Sequence, residues 1–352
     1  MGPFRINNGI GTVGGFKKLQ TFNFWARTLS FLGPNIWTNV KLHCPVAESS
    51  DIDLGNVSGG IVPNNGREAL SIVAMLFGPD QRGLVARVAG WVYERDGNIL
   101  HADQHRDAEE NVFFQRIEWW QPGDLADLRR AATAFSTMAR ERLGMSCRVA
   151  VSSDLPRVGA LVSKIPHCLQ DIAYRWKRRE LPGALVCVIS NHQDLDEFCR
   201  SISLPFHHVE SEAGSKLQSE QVMLNILREY KLDLLILARY MQILTPDFLK
   251  AVGVPVINVH HSFLPAFPGS RPYHQAYSRG VKIIGATSHY ATAELDAGPI
   301  IAQDVARVSH RHTVSDLISR GQDLECSVFA QAIRSHLENR VLVYNNKTVI
   351  FD

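Results

Sequence analysis

No uninterrupted apolar stretch in this chain approaches the roughly 18 residues that a membrane-crossing helix needs, so a spanning helix is excluded. The six cysteines include no C-x-x-C pair. Scattered at Cys44, Cys147, Cys168, Cys187, Cys199 and Cys326, they read as reduced thiols in a reducing compartment, not as a disulfide framework or a zinc site. An excess of one charge is lacking too. The 37 Lys and Arg against 35 Asp and Glu leave a net +2, which gives no general pull toward nucleic acid or an anionic membrane. Repeats and low-complexity tracts are absent. One lack is local: residues 1–47 contain no Asp or Glu but carry Arg5, Lys17, Lys18, Arg27 and Lys41. Acid-poor, basic composition is one mark of an organellar transit peptide. Against that, the segment is not Ser-rich, and Gly and Asn interrupt any helical face. A disordered extension, or a start codon placed too far upstream, is the reading that composition favours. The expectation for residues 1–68 is therefore an N-terminal extension, disordered or targeting. The expected compartment is the cytoplasm, or the mitochondrion if that extension is a transit peptide.

What is present fits an ordinary globular protein of about two domains: 352 residues, 45% hydrophobic and 20% charged. Gly59-Gly60 and Pro63-Asn-Asn-Gly66 break the chain, and from Leu70 the texture changes. The spacing predicts a strand at 70–77, a helix at 82–94, strands at 98–105 and 111–119, a helix at 124–143 and a strand at 145–151. This β-α-β-β-α-β order is ferredoxin-like, and it assigns residues 69–151 to a first domain. Residues 152–157 read as a linker. Residues 158–352 then read as an α/β domain with a mostly parallel sheet. Continuous apolar runs at 158–163, 184–190, 232–237 and 254–259 suit strands buried on both faces. Helical stretches fall at 167–178, 195–201, 218–230 and 318–337. A closing hairpin is expected at 341–344 and 348–351.

The candidate chemistry sits where these strands end. Ligands of open α/β sheets bind at the carboxyl ends of strands, and Asn258 and His260 fall there. A side-chain amide at Asn258 can donate to a developing oxyanion. His260 shares its parity on the strand, whereas the adjacent His261 should point the other way and be structural. Asp296, in Glu294-Leu-Asp-Ala-Gly-Pro299, can orient an imidazole or handle a proton from water if it approaches His260. A metal held by His260, His289 and Asp296 lacks the spacing of an H-x-x-x-H or H-x-H site and is set aside. The segment Ala238-Arg-Tyr-Met-Gln-Ile-Leu244 follows a strand and offers apolar members to a flat aromatic ligand.

An absence also matters here. After the strand at 158–163 comes Lys164-Ile-Pro-His-Cys-Leu169, without the glycines that let backbone N–H groups approach a phosphate. A phosphorylated second substrate is not expected at this mouth. His167 and Cys168 stand there instead and, being adjacent, are expected to diverge. Cys168 remains a minor candidate nucleophile.

These strings resemble a known family. Asn258, His260 and Asp296 match the Asn-His-Asp set of formyltransferase domains that use 10-formyltetrahydrofolate. Four longer segments resemble formyltetrahydrofolate deformylases: Ala238–Leu244, Asn258-Val-His-His-Ser-Phe-Leu-Pro-Ala-Phe267, Gly285-Ala-Thr-Ser-His289 and His167–Trp176. So do Ile189-Ser-Asn-His192 and the closing Arg340-Val-Leu-Val-Tyr344. Pro79-Asp-Gln-Arg-Gly83, Gly97-Asn-Ile99 and Asp103-Gln-His105 look like the ACT domain that this family carries ahead of a Rossmann-like formyltransferase domain. Ile165-Pro166 is a departure, since the family is usually polar or acidic there.

The resemblance implies hydrolysis of 10-formyltetrahydrofolate to tetrahydrofolate and formate. The formate would feed purine synthesis, and the reaction would balance the one-carbon folate pool. It implies no permanently bound cofactor and no metal. Asp296 would position or deprotonate the water, with His260 and Asn258 at the oxyanion. Thr287 and His289 would support them. The folate would lie against Arg239, Met241, Gln242, Ile243 and Leu244 and the Leu295–Gly298 loop. In relatives that formylate a phosphorylated amine, the glycine loop holds the phosphate; without it, water can be the second substrate. The alternatives are a formyltransferase onto an amine and a non-catalytic folate or amino-acid sensor. From the ACT resemblance follow a homo-oligomer, dimer or tetramer, and an amino-acid effector, glycine or methionine, near Asp80, Gly83, Gly97, Asn98 and Ile99. No nucleic-acid or membrane partner is expected.

Overall fold

A computed structural model describes residues 70–210, 215–265 and 272–352. The expectations for residues 1–68, including Cys44 and the breakers before Leu70, lie outside the described residues, as do Ala266 and Phe267 of the long Asn258 string.

The first elements are Ser71–Pro79 (β1), Leu84–Tyr93 (α1), Asn98–Asp107 (β2), Val112–Trp120 (β3), Leu125–Leu143 (α2) and Ser146–Val151 (β4). They form a four-stranded antiparallel sheet in the order β2-β3-β1-β4. Local sequence sets the ends of α2. The Asp124 carboxylate accepts from the Asp127 amide while the Asp127 carboxylate accepts from the Asp124 amide, a reciprocal cap. Gly144 closes the helix at φ 66°, a left-handed conformation that costs glycine little. Strand parity then sorts the side chains. Ile72, Ala74 and Leu76 pack with Leu84, Val88 and Phe135 of the two helices.

The second sheet is built from Arg157–Val162 (β5), Ala184–Ser190 (β6), Phe206–His208 (β7), Leu234–Ala238 (β8), Val256–His260 (β9), Ile283–Tyr290 (β10) and Ile300–Arg307 (β11). Its helices are His167–Lys177 (α3), Asp196–Ser201 (α4), Lys216–Tyr230 (α5), Pro246–Val252 (α6), Pro272–Arg279 (α7) and Val314–Leu337 (α8). The strand order is β11-β10-β9-β8-β5-β6-β7. The neighbours from β9 to β7 are parallel, whereas β10 runs antiparallel to β9 and β11 to β10. The four apolar runs of the sequence are the four strands β5, β6, β8 and β9. β10 carries no such run, because its buried residues include Thr287, Ser288 and His289. α8 begins a turn earlier than its apolar spacing predicts, at a second reciprocal cap between Thr313 and Asp316.

Val341–Tyr344 (β12) and Lys347–Ile350 (β13) form the closing hairpin. It covers the face of the first sheet that the helices leave open: Met75 and Phe114 pack with Leu342 and Phe351. Arg116 of β3 adds a polar tie, donating to the carbonyls of Glu338 and Asn339 while pairing with Glu118.

Candidate active site

A cleft of about 710 Å³ opens where β8 and β9 end. His260 is the last residue of β9, and Asn258 precedes it on the same face. Antiparallel pairing brings β10 alongside, with His289 opposite Asn258 and Thr287 opposite His260. Register alone therefore places an amide against an imidazole. The Asn258 amide donates to His289 Nε2 at 3.2 Å, and His289 Nδ1 donates to the Tyr290 carbonyl at 3.0 Å. Both ring nitrogens are thus used by a neutral imidazole. Burial lowers the pKa of His289 in the same sense, partly opposed by the Tyr290 carbonyl and Asp296.

Asp296 arrives on the loop between β10 and β11, at φ 55°, a left-handed conformation that aspartate tolerates better than most residues. The loop is pinned against β10. The Tyr290 amide donates to the Pro299 carbonyl at 2.9 Å. At Gly298 a Cβ would stand 1.8 Å from the Tyr290 carbonyl oxygen, so no side chain fits there. The carboxylate reaches His260 Nδ1 at 3.3 Å and stands 3.8 Å from His289 Nε2. The hydrogen bond from His260 holds the Asp296 carboxyl below the usual carboxylate range, against partial burial. His260 Nε2 is buried and has no hydrogen-bond partner among the described residues.

The other wall is apolar. Met241, Ile243 and Leu295 line the cleft while 54%, 59% and 62% exposed. Large apolar side chains held at a cleft mouth suit a flat ligand.

Residues 156–333 match the formyl transferase family. A formyltetrahydrofolate deformylase of Synechocystis is 48% identical over 283 residues, covering 80% of this chain and 99% of that one. One from Bacillus subtilis is 43% identical over 275 residues, covering 78% and 91%. The crystal structure of a formyltetrahydrofolate deformylase from Pseudomonas syringae superposes with a TM-score of 0.77 at 42% identity, covering 82% of this chain and 96% of that one. The chain belongs to the formyltetrahydrofolate deformylase family.

In this chain the structure brings Asn258, His260, His289 and Asp296 together, with Arg239, Met241, Gln242, Ile243, Leu244 and Leu295 along the same cleft. Two expected residues stand behind it. Thr287 is fully buried; its hydroxyl donates to the Ser262 carbonyl and accepts from the Leu264 amide and from Gln303. Gly298 shapes the loop. His261 departs from the parity expectation. β9 has ended at His260, so alternation no longer applies, and the two rings stack at 5.0 Å and 24°. Burial, with help from Arg239 and His260, pushes His261 down to about 4, so it faces the cleft neutral.

The mouth holds a cluster that sequence reasoning missed. Glu325 of α8 is 1% exposed, accepts from Tyr273 at 2.7 Å and bonds His167 Nε2 at 2.8 Å. Its oxygen also stands 3.4 Å from Arg239 Nε, a charge contact without hydrogen-bond alignment. Burial pushes Glu325 up, yet His167, Arg239 and Tyr273 together hold it below the usual value. The only sequence signal was a Glu on an apolar helix face. His167 and Cys168 were expected to diverge. They converge instead, since one turn of α3 brings both to Cys326 with ligand atoms within 4.8 Å of one another. Cys168 is fully buried, and its contact with Cys326 and burial raise the thiol well above its usual range, which removes it as a nucleophile.

The first-sheet residues Asp80, Gly83, Gly97, Asn98 and Ile99 have visible local roles. Asp80 pairs with Arg106. Gly83 takes φ 78° before α1. A Cβ at Gly97 would stand 2.6 Å from Val92. Asn98 and Ile99 open β2 on the exposed side.

Proposed function

We propose that the protein hydrolyses 10-formyltetrahydrofolate to tetrahydrofolate and formate, with the folate as substrate and no resident cofactor. The observation that carries this reading is the cluster of Asn258, His260, His289 and Asp296 at one end of a cleft whose other wall is apolar. The pterin would lie on Met241, Ile243 and Leu295, with polar groups of 239–244 and Gln242 meeting its nitrogens and oxygen.

A water held by Asp296 attacks the formyl carbon. As the C–O bond forms, the carbonyl electrons move onto oxygen. The second N–H of Asn258, whose first is taken by His289, and His260 Nε2 donate to that oxyanion. Each such donor is worth about 3–4 kcal/mol of barrier. His260 donates through Nδ1 to Asp296 at the same time, so the carboxylate stabilises the imidazolium. The intermediate collapses by breaking the C–N10 bond as N10 takes one of the water's protons by way of Asp296; the formic acid that forms gives its remaining acidic proton to solvent and leaves as formate. A carboxyl held low is a weak base, which favours Asp296 as orienter of the water before attack and proton carrier afterwards.

The mouth supports water over an amine as second substrate. No glycine loop follows β5, and Ile165, His167 and Glu325 line that side of the cleft. The test is formate release by purified protein from 10-formyltetrahydrofolate without an amine. Multiple turnovers support the hydrolase; formyl transfer to an added amine with little formate would replace it by the transferase.

We also read residues 69–151 as an ACT-type regulatory domain, 152–157 as its linker and 158–352 as the catalytic domain. The reading rests on the β2-β3-β1-β4 order and the glycine turns flanking α1. On it, the chain assembles as a dimer or tetramer and responds to glycine or methionine at the Asp80–Gly83 and Gly97–Ile99 loops. No change of rate with millimolar glycine or methionine, or a monomer by light scattering, would contradict this.

A further inference from the structure

A second cavity, of about 1020 Å³, lies at the junction of the two sheets, between β4 with the segment after it and the end of α8. Val149, Val151, Leu155 and Pro182 give it apolar walls. Its charges are unevenly committed. The acids have partners. Glu118 takes Arg116 and the Ser71 hydroxyl, Asp154 takes Arg129, Glu338 and Asp352 take Arg340, and Asp233 accepts the Arg157 amide. Arg148 and Arg334 line the same cavity and enter no ion pair among the described residues.

Arg148 is exposed on β4 and Arg334 half-buried on α8, so a ligand entering this space can meet both guanidinium groups. Two guanidinium groups free of ion pairs, beside acids that already have partners, offer an incoming anion charge-assisted donors. A free inorganic anion would waste the apolar walls; an anion with a hydrocarbon body uses both.

The cavity also touches the catalytic strand. His336 lines it and accepts from the Tyr290 hydroxyl at 2.7 Å, the rings meeting edge to face at 5.7 Å. Burial, with the Arg148 charge adding in the same direction, pushes His336 down to about 4, so it is the neutral acceptor that this bond requires. Tyr290 follows His289 in β10, and its carbonyl holds His289 Nδ1. One residue separates the cavity wall from the imidazole that orients Asn258.

We propose that this cavity is a binding site for a small organic carboxylate, its charge on Arg148 and Arg334 and its body against Val149, Val151 and Leu155, and that occupancy is felt at His289 through His336 and Tyr290. The site is distinct from the Asp80–Gly83 and Gly97–Ile99 loops, none of whose residues lines it.

The test titrates hexanoate, and separately inorganic phosphate, into the full-length protein by calorimetry, alongside formate-release rates. The expected result is one hexanoate per chain and a changed rate. Arg148→Met and Arg334→Met should each weaken binding by about tenfold or more, the loss of one charge-assisted hydrogen bond, with the basal rate kept. Val149→Asp, which keeps both arginines but sets a carboxylate in the wall, should weaken it too. Tyr290→Phe should bind hexanoate and lose the rate response. No heat from hexanoate, unchanged binding in all three cavity variants, or phosphate binding as tightly as hexanoate would overturn the site. Binding without any rate change would overturn the coupling. Because calorimetry needs no turnover, a protein that released no formate would overturn the hydrolase reading and leave this one standing or falling on its own.

Discussion

The two sheets bury polar groups for different purposes. In the four-stranded sheet most buried polar side chains close local bonds, although Gln115 Oε1 has no partner among the described residues. Ser71 donates to Glu118, Gln121 accepts from the Trp119 indole, and Arg116 is shared between Glu118 and two carbonyls. In the seven-stranded sheet and the helix α8 packed on it, His260, His289 and Glu325 are as deeply buried but converge on one cleft, and His260 keeps a nitrogen without a partner among the described residues. Burial of polarity is thus no sign of function by itself. What separates the regions is where open hydrogen-bonding capacity lies: His260 lines the cleft, and Gln115 does not. Closed within the fold it holds shape; left open at a cleft, it is available to a substrate.

The largest effect is expected of Asp296→Asn. The carboxylate that orients the water and pairs with His260 is lost while the side-chain volume stays. Turnover should fall by about 10³-fold or more, with folate affinity retained in an equilibrium titration. A loss under about tenfold would remove Asp296 from the chemistry. Next comes Asn258→Ala, which deletes one oxyanion donor and frees His289. A fall of about 10²–10³-fold in kcat is expected, read with KM to separate it from weaker folate binding. An unchanged kcat would mean that the amide serves only to hold His289.

Much of this was legible in the sequence, for identifiable reasons. Parallel strands buried on both faces must be continuously apolar, so β5, β6, β8 and β9 stand out. The reciprocal cap at Asp124 and the glycine at 144 mark the ends of α2. The Asn258–His260 parity survives because both lie within β9. Legibility stops where periodicity stops. His261 lies one residue past the strand, so alternation misassigned it. β10 buries Thr287, Ser288 and His289, so it lacks an apolar run although it forms half of the site. Glu325 is chosen by tertiary contact: the partners Tyr273, His167 and Arg239 come from three separate segments. Gly321 records that contact, since a Cβ there would stand 2.1 Å from the Tyr273 hydroxyl, but only a structure explains the glycine.

Arg116→Met tests the shape-holding side. It leaves Glu118 without its cation and two carbonyls of the 338–339 turn without a donor. The cost should be about 2–4 kcal/mol of stability, read from denaturant midpoints. The rate per folded molecule should hold. Lost turnover at unchanged stability would show that the first sheet carries chemistry after all.

The smallest expected effect comes from the element that both regions share. Tyr344 of β12 packs edge-on against Phe77 and Phe114 of the first sheet. Two residues on, the Asn346 amide donates to the Ala297 carbonyl at 2.8 Å, beside Asp296, and Thr348 donates to the Ile300 carbonyl. The hairpin therefore braces the loop that aims the carboxylate. Asn346→Ala removes one exposed hydrogen bond, worth about 1 kcal/mol, so kcat should fall by about fivefold while KM and the thermal midpoint stay. A purely structural role would lower the midpoint and spare kcat. Asn346→Gln offers the same amide from a longer stem, and partial recovery with it would tie the effect to the Ala297 carbonyl. Equal losses in Ala and Gln variants would show instead that the turn itself, at φ 52° on Asn345, sets the loop.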